Sequence, residues 1–312
     1  MGKKPQIIVI AGPTASGKTE LSIELAKKIN GEIISCDSMQ IYKDMNIGTA
    51  KPSEKEMQSI KHHLIDCVLP TERFSVSEYK KIAIKAIEEV LQKNKVPIVV
   101  GGTGLYIDSL VNGIEFKEMK FDEKYRSELN EMADNGNLEE LYEQAKQIDP
   151  EAMEIVSPND KKRIIRILEI YKATGKNKTE QNKESVKNGN PYNYIVFAIN
   201  WDREVLYDRI NKRVDLMIEN GLIKEVEDLL KKYDNFPTAM QGLGYKEVKE
   251  YLGGQISKEE MIEKIKQETR RYAKRQITWF KKNKQTIWLQ GENGVRRNLE
   301  EIHISLGVKY CS

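Results

Sequence analysis

Residues Gly12, Pro13, Thr14, Ala15, Ser16, Gly17, Lys18 and Thr19 fit G-x-x-x-x-G-K-[ST], and no other stretch restricts the fold as tightly. The β-branched run Ile7-Ile8-Val9-Ile10 comes just before it, and Leu21, Leu25, Ala26 and Ile29 follow at helical spacing. A strand, a glycine-rich loop and a helix in that order form a phosphate-binding loop. The glycines let the backbone curl until several N–H groups aim at one anion. The helix N-terminus adds partial positive charge. Lys18 is placed to neutralise phosphate oxygens, and the Thr19 hydroxyl to hold Mg2+. The motif specifies a di- or triphosphate but not the chemistry that follows.

The rest of the chain supplies partners for that first strand. Apolar runs at residues 32–36, 97–100, 194–199 and 286–289 read as further strands. Between them lie helical patterns over residues 74–92, 203–220, 222–231 and 257–282. Ser75 with Glu78, and Ser257 with Glu260, form capping boxes at two of these starts. This alternation predicts an α/β fold, a P-loop parallel sheet flanked by helices. From about Lys117 to Asn193 the strand signal stops and helical pieces appear at 123–135, 138–147 and 159–174, with a polar connection over 176–190. We therefore expect a catalytic core of residues 1–118 and 194–312, with a helical insertion domain at 119–193.

Composition excludes several classes. Charged residues are 32% of the chain and no apolar run is long enough for a bilayer, so no membrane association is expected. The start, Met1-Gly2-Lys3-Lys4-Pro5, lacks an apolar signal region, and Gln6 disagrees with a myristoylation motif. The scattered Cys36, Cys67 and Cys311 read as reduced thiols without zinc spacing, which predicts a cytoplasmic protein. A monomer with no obligate protein partner is expected. The net charge of +3 is modest, so its distribution matters more.

Candidate chemistry gathers at the strand ends, where open α/β sheets bind ligands. Asp37 ends the second strand and either caps a turn or serves as a substrate-facing carboxylate. Thr103 follows Gly101-Gly102 and either closes a tight turn or approaches a ligand. No acid stands where an ATPase keeps its Walker B aspartate, which argues against ATP hydrolysis. His62 and His63 adjoin on a strand, point to opposite faces, and favour packing over metal binding. Arg209 and Arg213 share a helix face from which one could reach the phosphates. Basic residues cluster at Lys161, Lys162, Arg163 and Arg166, and again between Lys264 and Lys284, where nine Lys/Arg accompany the single acid Glu268. That density of one sign favours a polyanion partner over a merely solvated face. Ile265, Tyr272, Gln276 and Phe280 form a separate stripe on the same helix.

Taken together, GPTASGKT, DSMQIY, IGTAKP, HHLID, VGGTGLY, the Pro158-Asn159-Asp160 to Glu169 block, GLGYKE and KRQITWF resemble the bacterial tRNA dimethylallyltransferases (tRNA isopentenyltransferases) in order along nearly the whole chain. The resemblance implies transfer of a dimethylallyl group from dimethylallyl diphosphate. The implied acceptor is the exocyclic amine of the adenine just 3′ of the anticodon, in tRNAs that read codons beginning with U. It makes Asp37 the base and gives Lys18, the loop amides, Mg2+ on Thr19 and Arg213 the leaving diphosphate. Thr103 orients the amine or the carboxylate. By the same resemblance, tRNA contacts fall on Asp37, Ser38, Met39, Gln40, Thr103, Arg126, Lys161, Lys162, Arg163, Ile164 and Ile165. They continue at Gln241, Gly242, Leu243, Gly244, Tyr245, Lys246, Lys274, Arg275, Gln276, Ile277, Thr278, Trp279, Phe280 and Lys281. The insert then clamps the anticodon stem-loop. Two alternatives share the phosphate loop: a nucleoside or metabolite kinase, and a prenyltransferase of free adenine nucleotide. Neither needs the basic tracts.

Overall fold

The computed structural model describes residues 4–114, 122–185 and 189–307. The expected boundary at 118/119, Cys311, and the first three residues of the start lie outside these. Among the described residues six strands occur: β1 (Gln6–Ala11), β2 (Gly31–Ser35), β3 (His62–His63), β4 (Val96–Gly101), β5 (Asn193–Asn200) and β6 (Ile287–Gln290). The helices in chain order are α1 (Lys18–Lys28), α2 (Glu54–Met57), α3 (Val76–Gln92), α4 (Gly104–Val111), α5 (Glu123–Asp134), α6 (Leu138–Ile148) and α7 (Pro150–Met153). They continue as α8 (Lys161–Thr174), α9 (Lys178–Ser185), α10 (Arg203–Glu219), α11 (Leu222–Lys232), α12 (Tyr245–Leu252), α13 (Lys258–Phe280) and α14 (Gly294–Leu306).

The strands form one sheet in the order β3-β2-β4-β1-β5-β6, all parallel. Successive side chains on a strand point to opposite faces, and β1 uses both. Ile7, Val9 and Ala11 join Tyr79, Ala83, Ile87 and Tyr106 from α3 and α4. Ile8 and Ile10 join Leu21, Leu25, Leu299 and Ile302 from α1 and α14. Helices on both faces explain why these strands read as unbroken apolar runs. Truncating a buried isoleucine such as Ile10 to alanine costs about 2–5 kcal/mol in such an interior. β1 is also the point where strand order reverses, with β4 on one side and β5 on the other. A crevice therefore opens beyond its carboxyl end, and the phosphate loop lies there.

The capping boxes at Ser75 and Ser257 form as expected. Gly221 has φ 96°, which ends α10 and starts α11. Helices α4, α12 and α14 have no counterpart in the sequence pattern as we read it.

The chain divides into two compact units, one of residues 1–111 with 191–312, the other of residues 112–190. The second unit has its own core of Leu129, Leu141, Ala145, Met153, Ile164, Ile165, Ile167 and Leu168. The polar connection expected over 176–190 instead contains α9. Buried Asp149 is the reason: its carboxylate accepts the Thr179 N–H at 2.8 Å and the Thr179 hydroxyl at 2.7 Å, and also caps α7 through Ala152. A helix with no buried residue of its own is thus held by Asp149, and by Lys183, which donates to Glu151 at 2.7 Å.

Candidate active site

The loop after β1 turns on Gly17, whose φ of 90° places it in the region that glycine enters without steric cost, at the N-cap of α1. Lys18 folds back over the loop and donates from Nζ to the Pro13 carbonyl at 2.6 Å. Loss of solvent lowers its pKa to about 7; the charge of Arg213 adds to that, and Asp37 opposes it. Arg209 donates from Nε to the Ala15 carbonyl at 2.8 Å and lies over the Trp201 ring, whose Nε1 donates to Ser16 O. Arg209 thus braces the outside of the loop. Arg213 lies one turn further along α10, and its buried Nε has no hydrogen-bond partner. Desolvation depresses its pKa, while Asp37 and Glu56 act to raise it. An unpaired guanidinium N–H beside a depressed lysine is a site prepared for an anion.

Asp37 leaves the end of β2 in a turn that its own side chain closes. Oδ1 accepts the Met39 N–H at 2.9 Å and the Gln40 N–H at 3.3 Å. Asp37 thus closes its own turn and also lines the cavity described below. Thr103 Oγ1 accepts the Ser38 N–H at 3.1 Å and tethers that turn to the end of β4. The Tyr272 hydroxyl faces Thr103, and burial together with nearby Asp37 pushes its pKa up to about 12. The absence of an acid at the tip of β4 has a steric cause: a Cβ on Gly101 would lie 2.0 Å from the Cys36 carbonyl oxygen.

One cavity of about 370 Å³ joins the phosphate loop, Arg213, the Asp37 turn and Tyr272, while Thr103 and Arg209 are not part of its lining. Lys18, Thr19, Thr14, Asp37, Arg213 and Arg275 supply its charge and hydrogen bonds. Met39, Ile210, Val214, Met217, Leu243, Tyr245 and Ile265 supply apolar wall. Gly48, Thr49 and Ala50 close one side. Glu225 holds that side in place: its carboxylate accepts the N–H groups of Asn46, Ile47 and Gly48 and the Tyr245 hydroxyl, all within 3.1 Å. The Gln40 amide donates to the Thr49 and Ala50 carbonyls at 3.3 Å.

The remaining residues are placed as follows. Ile164 and Ile165 belong to the core of the helical unit, so their side chains are packing groups. Arg126 pairs with buried Glu169. Lys161 binds Asp134 at 2.6 Å and Arg163 lies 3.4 Å from Asp160, while Lys162 is exposed. Along α13, Lys264, Lys266, Arg270 and Arg271 each meet an acid, namely Glu250, Asp215, Glu263 and Glu268. Lys274, Arg275, Lys281, Lys282 and Lys284 are exposed, with no acid within 4.0 Å among the described residues. The basic run is thus half neutralised and half open. Trp279 donates to Asp108 at 2.8 Å, and Phe280 is buried in the main core. Gln276 is buried as well and contacts the phosphate loop. Gly242 lies against Met39, and Gly244, with φ 89°, starts α12 ahead of buried Tyr245 and exposed Lys246. His63 is buried with Nε2 2.7 Å from Glu32, and His62 meets the Ile60 carbonyl; among the described residues no cluster of three His, Cys, Asp or Glu could hold a metal. No described helix is long and apolar enough to cross a membrane.

A parallel sheet with a phosphate loop, a facing carboxylate and a cavity half polar and half apolar defines an enzyme of the P-loop group-transfer class. The chain belongs to the IPP transferase family, whose model matches residues 40–283. It is 54% identical to the tRNA dimethylallyltransferase of Acetivibrio thermocellus over 284 residues, 91% of each chain. A Thermoanaerobacter enzyme of the same name is 50% identical over 310 residues, 98% of each. Among solved structures, the tRNA isopentenylpyrophosphate transferase of Bacillus halodurans matches with 40% identity and a TM-score of 0.73, over 98% of this chain and 96% of that one. A eukaryotic dimethylallyltransferase acting on tRNA matches with 31% identity and a TM-score of 0.82, over 99% of this chain and 81% of that one.

Proposed function

We propose that this enzyme moves a dimethylallyl group from dimethylallyl diphosphate to the exocyclic amine of the adenine immediately 3′ of the anticodon, in tRNAs reading codons that begin with U. The observation that supports it most is that Lys18, Arg213 and Asp37 line one cavity together with an apolar wall of Met39, Ile210, Val214, Met217, Leu243 and Ile265. The loop amides, Lys18 and Arg213 take up the charge that grows on the departing diphosphate. The apolar wall receives the five-carbon group. The carbon–oxygen bond of the donor breaks, the bond from carbon to the adenine nitrogen forms, and the amine proton passes to the Asp37 carboxylate. The adenine leaves its stack to enter the cavity.

The Thr19 hydroxyl and Asp37 line the same cavity, a donor set that fits a magnesium ion completed by diphosphate oxygens and water. Such an ion, when bound, neutralises the leaving oxygens. Full-strength coordination would weaken Asp37 as a base, so we assign the inner contact to Thr19. The open half of the basic run, Lys274 to Lys284, contacts the RNA backbone, and Lys162 and Arg163 of the helical unit give the anticodon stem-loop a second basic surface. We take the enzyme to act as a cytoplasmic monomer.

Mass spectrometry of bulk tRNA incubated with the protein, magnesium and dimethylallyl diphosphate tests this. One five-carbon addition on the adenosine after the anticodon is expected. Phosphoryl transfer from ATP to a small acceptor, or equal prenylation of free AMP, would replace the proposal with one of its alternatives.

A further inference from the structure

Gln276 sits on the same helix as the open basic residues but faces the other way. It is 5% exposed, and both ends of its amide are in use. Oε1 accepts the Thr14 N–H at 2.9 Å, and Nε2 donates to the Gly102 carbonyl at 2.9 Å. Thr14 belongs to the phosphate loop, while Gly102 immediately precedes Thr103, the residue that tethers the Asp37 turn. The contact is close: a Cβ on Gly102 would lie 2.1 Å from Nε2. One buried amide therefore spans the diphosphate side and the acceptor side of the cavity.

We propose that Gln276 is a positioning residue for the transfer, fixing the distance between the phosphate loop and the Gly102–Thr103 segment so that donor carbon and acceptor nitrogen meet in line. This rests on the transfer reading above. Only an uncharged side chain of this length offers an acceptor to one backbone and a donor to the other. β1 and β4 stay paired as far as Ala11 and Gly101 without it, but beyond the strand ends Thr14 and Gly102 lose the side-chain tie between them. Misplacement of reacting groups by about 1 Å costs about 100-fold in rate.

The test compares Gln276→Met with Gln276→Glu. Methionine keeps the volume and loses both hydrogen bonds. We expect kcat to fall about 100-fold while KM for tRNA stays within about twofold. A neutral glutamic acid reproduces the donor and acceptor of the amide, but its ionised form has no donor for Gly102. Burial raises its pKa, so the ratio of Gln276→Glu to parent kcat should rise as pH falls from about 8 to about 6. A folded Gln276→Met enzyme with near-parent kcat, or with its loss in KM for tRNA, overturns the proposal. So does a flat Gln276→Glu ratio, which also decides the matter if the methionine variant does not fold. Each of these outcomes leaves the transfer reading intact, whereas a parent that modifies no tRNA removes that reading and this inference together.

Discussion

Thr103 Oγ1 accepts the amide N–H of Ser38 at 3.1 Å, joining the tips of β4 and β2, which are neighbours in the sheet. The bond fixes where the Asp37 turn stands relative to the end of β4. Thr103→Val keeps the shape and removes the acceptor; Thr103→Ser keeps the acceptor. We expect the valine variant to lose about tenfold or more in kcat, the size of effect of a displaced base, and the serine variant to stay near the parent. Steady-state kinetics on an anticodon stem-loop check this.

Lys18 should make donor binding take up a proton. Its pKa in the free enzyme is about 7, lowered first by desolvation and then by Arg213. A bound diphosphate favours the charged amine and raises that value. Above pH 7 the free lysine has lost its proton, so binding takes one up and affinity falls as pH rises. Calorimetric titration at about pH 8 in buffers of different ionisation enthalpy should report close to one proton gained per donor bound, and close to none for Lys18→Met.

The two halves of the basic helix should behave differently on charge reversal. Lys274→Glu with Arg275→Glu removes open charges, so tRNA binding should weaken and the slope of log affinity against log salt should flatten by about 1–2. Lys264→Glu with Arg271→Glu alters residues already paired with Glu250 and Glu268, and should change that slope little. Filter binding across a salt series distinguishes these results from a uniform effect.

Local pattern carried much of the reading. The phosphate loop, the apolar runs and the two capping boxes depend on neighbours in sequence, and they formed where expected. The contacts that complete the site are distant in sequence. Glu225 organises Asn46 to Gly48 across 177 or more residues, and Gln276 reaches Thr14 across 262. In sequence the first looks like a helix-surface acid and the second like a polar member of a core stripe, and no periodicity signals either role. The run from Lys264 to Lys284 read as a uniform basic face because its acidic partners lie on other helices or elsewhere along α13. Arg209 and Arg213 were equivalent by spacing; the Ala15 carbonyl and the Trp201 ring engage the first and leave the second to the cavity.

Asp37 offers the most direct measurement. Asparagine at this position retains an oxygen for the Met39 and Gln40 amides, so the turn survives while the base is lost. In single-turnover transfer to an anticodon stem-loop with saturating dimethylallyl diphosphate and magnesium, Asp37→Asn should bind RNA like the parent and transfer about 100- to 10,000-fold more slowly. Transfer at the parent rate by the folded Asp37→Asn enzyme would contradict the account.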